Sequence, residues 1–161
     1  MGTDINAAFG HRIPFPPTEA LVQSMSKGLQ PAGMGGSGWY LPPHEPRLIS
    51  GYEIIIHFGP RAALISTGYS WGPPSEIDAR EPVISSCREV ARFFRSPIII
   101  FLPDDIEPYV YAGCWIDDGL TIEEVQEKLA HIKAPSPDVR AAIRQRPDCY
   151  EVDGYVVEQL D

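Results

Sequence analysis

The sequence predicts an α+β fold: a mixed or mainly antiparallel sheet of about five to six strands built from hairpins, with three to four helices packed on one face. Three observations carry this. "YEIIIHF" (52–58) and "AALIST" (62–67) are β-prone runs separated by "GPR", the pattern of a hairpin. "PIIIFL" (97–102) has no polar alternation, as in a strand covered on both faces. Apolar residues at helical spacing recur between these runs.

Taken in order, "PPTEALVQSMSKGL" reads as a short helix. Thr18 caps its start, Gly28 ends it, and Leu21, Val22, Met25 and Leu29 form its apolar stripe. "QPAGMGGSGWYLPPHEPRL" follows, dense in Gly and Pro, and reads as loop. After the 52–67 hairpin and a second loop, a helix is expected from Pro82, which suits a first helical turn. Val83, Ile84, Cys87, Val90, Ala91 and Phe94 would face the core, and Arg88, Arg92 and Arg95 the solvent.

"YVYAGCWI" (109–116) reads as the strand after "PIIIFL", with Gly113 marking a bulge or a close approach. "TIEEVQEKLAHIK" is a helix opened by a Thr121–Glu124 capping box, with Ile122, Val125, Leu129 and Ile132 as its stripe. "SPDVRAAIRQRP" reads as a further helix, capped by Ser136 and stopped by Pro147. Asp153-Gly154 sits between β-prone residues, the signal of a two-residue hairpin turn. The 161 residues suit a single domain, 1–161, with a Pro/Gly-rich segment over 1–50 and an α+β core over 51–161.

Charge is unevenly spread. Residues 1–103 carry eight acidic and eight basic side chains, and residues 104–161 carry fourteen acidic against five basic, so the second part holds all of the net −9. This balance disfavours direct binding to nucleic acid or an anionic membrane, and suits a basic protein partner, such as a toxin or an enzyme that acts on nucleic acid. The bland alternative is a solvated acidic surface that keeps the chain soluble. No apolar run is long enough to cross a membrane, and the N-terminus lacks the pattern of a signal peptide. Cys87, Cys114 and Cys149 are odd in number and far apart, which suits a reducing, cytoplasmic compartment.

Motifs of catalysis are weak. "GMGGSG" (33–38) fits the glycine pattern of dinucleotide loops, yet prolines at 42 and 43 prevent the helix whose N-terminus would hold phosphate. The four histidines, His11, His44, His57 and His131, form no zinc spacing. Cys87 lies at a core position. Asp104 and Asp105 follow an apolar strand, where carboxylates can hold Mg²⁺, and Glu107, Asp117 and Asp118 could join them. Residues 104–127 contain no basic side chain to receive a phosphate. No cofactor and no metal are therefore expected.

What remains is an acidic segment together with aromatics in Gly/Pro-rich loops. The expected function is protein binding: docking on a basic partner and inhibiting or regulating it, as immunity proteins and inhibitors do. Asp104, Asp105, Glu107, Asp117 and Asp118 would steer association, and Trp39, Tyr40 and Trp71 would form the desolvated centre of the contact. The alternative is an enzyme with a spatially assembled site, either a metal-dependent phosphoesterase around Asp104 and Asp105 or a Cys/His hydrolase.

Overall fold

The structure is a computed structural model. It describes residues 4–25, 30–31, 38–41, 54–70, 77–102, 106–135 and 154–161. Seven strands form one sheet: β1 (Asp4–Gly10), β2 (Gln30–Pro31), β3 (Gly38–Leu41), β4 (Ile54–Phe58), β5 (Ala62–Ser70), β6 (Ile98–Phe101) and β7 (Val156–Gln159). Their spatial order is β2-β3-β4-β5-β1-β6-β7, and every neighbouring pair is antiparallel. Four helices accompany them: α1 (Glu19–Met25), α2 (Ile77–Phe93), α3 (Ile106–Asp117) and α4 (Ile122–Ile132). The α+β class and the antiparallel sheet hold. The strand count exceeds expectation, and the helices occupy both faces of the sheet rather than one.

The two faces follow from the side-chain alternation of β1, an interior strand between β5 and β6. Ile5, Ala7 and Phe9 point to one face, where Val83, Ile84, Cys87, Val90, Ala91 and Phe94 pack with Ile54, Ile56 and Phe58. Phe9, Phe58 and Phe94 form an aromatic cluster at its centre, with Phe9 stacked on Phe94 at 5.4 Å. Ala8 points to the other face, where Ala112 and Ile116 of α3 and Ile122, Val125 and Leu129 of α4 close a second core. Both faces of β6 are covered, which is why "IIIF" needs no polar alternation.

Several expected elements take their place: the β4–β5 hairpin with its turn at 59–61, the apolar stripe of α2, and β6. Thr18 caps α1, with its Oγ1 3.4 Å from the Leu21 amide. The α4 capping box is reciprocal: the Thr121 amide donates to Glu124 Oε2 at 2.8 Å, and the Glu124 amide donates to Thr121 Oγ1 at 3.2 Å. Ile132, expected in the α4 stripe, is exposed as the last residue of the helix.

Other expectations change. Residues 109–116, read as a strand, belong to α3. Pro108, Ala112 and Ile116 are buried at four-residue spacing, so packing against α4 and β5 outweighs the β propensity of Tyr, Val and Trp. Gly113 marks no bulge; a Cβ there would only touch Leu64 at 4.0 Å. α2 starts at Ile77, which puts Pro82 inside the helix. The Gly/Pro-rich stretch after α1, read as loop, contributes β2 and β3. β1 was not foreseen. The second arm expected after Gly154 is β7, but it pairs with β6. The expected helix over 136–147 and residues 148–153 lie outside the described residues.

Candidate functional site

"GMGGSG" joins β2 to β3, two antiparallel neighbours. A dinucleotide loop must pass from a strand into a helix, so the glycine pattern lacks its context. The question of a site therefore moves to the surfaces that the fold leaves open.

One is the outer face of α3. Glu107, Val110, Tyr111, Cys114, Asp117 and Asp118 are all exposed, at the three- and four-residue spacing of one helical face. Val110 is 50% and Tyr111 48% exposed, so their apolar surface remains in water although α3 buries its opposite face. The Tyr111 ring stacks on Trp115 at 5.7 Å, and the Lys128 ammonium lies 5.6 Å from the Trp115 ring centroid. The helix thus presents a short apolar and aromatic strip with carboxylates at both ends. Glu107 stands in the first turn, where the helix dipole favours a negative charge. Asp117 is the last helical residue, where the dipole opposes it by about 0.3–1 kcal/mol, and no basic side chain stands in that turn to offset it.

The predicted docking residues divide accordingly. Glu107, Asp117 and Asp118 belong to this one helix and the turn after it, with Glu107 and Asp117 about 15 Å apart along the axis. Asp104, Asp105 and Trp71 lie outside the described residues. Trp39 and Tyr40 belong to β3, paired with Ile56 and Ile55 of β4. The aromatic partners that sequence reasoning missed are Tyr111 and Trp115. Residues 109–116 read as a strand, and only a helical reading of 106–117 puts Tyr111 on the outer face.

The second open surface is a groove of about 1170 Å³ at the end of the sheet where β1 finishes. Its walls come from residues 10–13, the β4–β5 turn, the end of α2 and the start of α4. His11 is buried, and its Nε2–H donates to the Gly59 carbonyl oxygen at 2.8 Å. That fixes the tautomer: Nδ1 carries the lone pair, and it has no partner among the described residues. Burial pushes the His11 pKa below its ordinary value, against the Gly59 and Ala62 backbone groups that raise it. The ring also meets Phe58 edge-on at 5.3 Å, so it packs as a core aromatic.

Among the described residues, no three His, Cys, Asp or Glu side chains gather as metal ligands, and no helix is long and apolar enough to cross a membrane. Cys87 is fully buried, and its thiol is pushed up to about 12 by that burial, with Arg88 pulling weakly downward. Burial thus disfavours the thiolate form that nucleophilic attack requires. His57 and His131 are exposed on β4 and α4. No protein-family model matches the chain, and comparison with curated proteins and with solved structures finds no significant match.

Proposed function

We propose that this is a small acidic binding protein that docks on a basic partner protein and inhibits or regulates it, in the manner of an immunity protein or inhibitor. The partner would be a toxin or an enzyme that acts on nucleic acid, whose basic substrate-facing surface the acidic face covers. The observation that carries the reading is the exposed strip of Val110 and Tyr111 on α3, bounded by Glu107 at one end and Asp117 and Asp118 at the other. Interfaces combine a desolvated aromatic centre with a charged rim, and the rim charges speed and orient the encounter. Asp104 and Asp105 precede α3 directly in the chain and add to the charge at its first end. The proposed compartment is the cytoplasm, in keeping with Cys87 and Cys114 as free thiols.

The test is affinity capture from nuclease-treated lysate of the source cells, with native mass spectrometry of the eluate. Wild-type chain is run beside a Val110→Glu variant and an Asp117→Lys/Asp118→Lys variant. A stoichiometric basic protein, displaced by moderate salt and lost from both variants, supports the reading. A partner retained equally by all three baits overturns it, as does an acidic partner or none at all.

A further inference from the structure

Three of the thirteen basic side chains of this acidic protein, Arg12, Arg61 and Arg95, line the groove beside His11. They come from three separate elements: the chain after β1, the β4–β5 turn and the end of α2. All three are exposed, and none forms an ion pair among the described residues. Glu123 is the one acidic side chain among the residues lining the groove. The groove is thus locally cationic on a chain whose net charge is −9. Like charges set around one cavity without counterions repel one another, and an anion between them relieves that repulsion.

Two further features point the same way. The N-terminus of α4, an eleven-residue helix, opens on the groove through Thr121, Ile122 and Glu123. The Thr121 amide is taken by the Glu124 carboxylate and the Glu124 amide by Thr121, which leaves the Ile122 and Glu123 amides without an intrahelical acceptor. Arg95 has a φ of 58°, in the left-handed region that favours glycine. It lies two residues beyond α2, where the Arg95 and Ser96 amides donate to the carbonyls of Arg92 and Ala91. A helix end of this geometry is ordinarily served by glycine, so the arginine is held there against its backbone preference. Its side chain gains nothing from an intramolecular ion pair among the described residues.

The cavity is far larger than a phosphate ion, and much of its lining is apolar: Ile13, Pro60, Phe93, Phe94, Pro97 and Ile122. Phe93 is 36% exposed, leaving part of a ring open to solvent. We propose that the groove binds a small organic phosphomonoester, its phosphate held by Arg12, Arg61 and Arg95 and its apolar body resting against Phe93 and the prolines. Guanidinium groups match phosphate oxygens in pairs, whereas an ordinary carboxylate offers fewer acceptors. The buried His11 holds the β4–β5 turn through Gly59, and so sets Arg12 and Arg61 on the same wall. This site is independent of the α3 docking face.

The experiment is titration of the whole chain with phenyl phosphate, inorganic phosphate and phenol, followed by calorimetry and by backbone amide shifts. Phenyl phosphate is expected to saturate at millimolar concentration or below and to shift the amides of residues 10–13, 59–61 and 121–123. Inorganic phosphate is expected to bind roughly fivefold more weakly, and phenol not at all. Arg61→Gln should weaken phenyl phosphate roughly fivefold. Arg95→Gly is the decisive variant, because it relieves the left-handed backbone while removing the charge: it should melt higher than wild type and bind more weakly. Equal binding of phosphate and phenyl phosphate would overturn the apolar half of the site. Failure of phenyl phosphate to saturate, or saturation unchanged by Arg61→Gln and Arg95→Gly, would overturn the site altogether.

Discussion

Arg88 on α2 grips Glu158 on β7 with two hydrogen bonds, Nε donating to Oε2 at 2.6 Å and an NH₂ group donating to Oε1 at 2.8 Å. Glu81 stands 3.9 Å away as a weaker third partner. The pair joins residues seventy positions apart and fastens the edge strand β7 to the helix beneath it. Both side chains are about three-quarters buried, so solvent screens the pair less than a surface bridge. Glu158→Gln is expected to lower stability by about 1–2 kcal/mol, read as a lower urea midpoint with an unchanged slope. Arg88→Lys should lose nearly as much, because one ammonium cannot reproduce the paired geometry. A midpoint unchanged in both variants would refute this account.

Gly59 closes the β4–β5 hairpin, its amide donating to the Ala62 carbonyl at 2.8 Å. A Cβ at that position would overlap the Ile116 carbonyl of α3, which is backbone and cannot swing away. The turn and the end of α3 are therefore in contact through main-chain atoms. Gly59→Ala should destabilise by about 3 kcal/mol, at the upper end of overpacking costs, and thermal unfolding will show it. Gly10→Ala meets Cγ2 of the buried, β-branched Ile122 at 2.7 Å instead, a shallower overlap than at Gly59 that a shift of the first turn of α4 can relieve. A smaller loss is expected there, and equal losses at the two sites would refute the distinction.

These contacts explain what could be read from the chain. The α2 stripe was legible because Val83, Ile84, Cys87, Val90, Ala91 and Phe94 keep helical periodicity against one face. β6 was legible because a run as apolar as "IIIF" has few other homes. β1 was not, although it lies inside the sheet between β5 and β6. "DINAAFG" holds two alanines, a glycine and an asparagine, all weak in β propensity, and it is buried on both faces, so no alternation appears. Its small residues are what let helices approach from both sides, a reason visible only once the helices are placed. α3 failed oppositely: "YVYAGCWI" has strong β propensity, and its helical burial at Pro108, Ala112 and Ile116 depends on neighbours. Arg12, Arg61 and Arg95 are scattered along the sequence, and only the fold lines one groove with them.

His11 should make stability depend on pH in a defined window. A free imidazole titrates near 6.5, and burial places His11 below that in the folded chain. Between the two values the unfolded chain holds the proton and the folded chain does not. The His11 contribution is thus fully present above about pH 6.5 and is lost as pH falls toward the folded value. His11→Gln cannot titrate, so the wild-type advantage over it should shrink between about pH 7.5 and pH 5. Comparing the two proteins cancels the carboxylates common to both. An advantage that stays constant across that range rules the linkage out.

The described cysteines should differ sharply in reactivity. Cys114 is exposed on the outer face of α3, and Cys87 is fully buried with its thiol pushed up to about 12. The thiolate is the reactive form, so Cys87 lacks both access and charge. In a Cys149→Ser background, Ellman's reagent at neutral pH should titrate one thiol promptly, and peptide mapping should place it at Cys114. The second thiol should appear only on unfolding. Prompt reaction of Cys87 in folded protein would show that α2 opens far more readily than its packing implies.

Asp117 separates docking from folding. It sits at the negative end of the α3 dipole, with Asp118 beside it, so its charge works against the helix. A lysine there would favour the dipole, and Asp117→Lys should raise stability by about 0.5 kcal/mol in thermal unfolding. If the acidic ends of α3 steer a basic partner, the same substitution should slow association severalfold and flatten its dependence on salt, with dissociation changed less. Charge reversal at Asp104 and Asp105 should act alike on the on-rate. Val110→Glu should instead speed dissociation, because it puts a charge into the apolar centre of the contact. The two signatures differ, so stopped-flow measurements at two ionic strengths can assign each residue to rim or centre. A more stable Asp117→Lys variant that associates as fast as wild type would remove the α3 face from the docking reading.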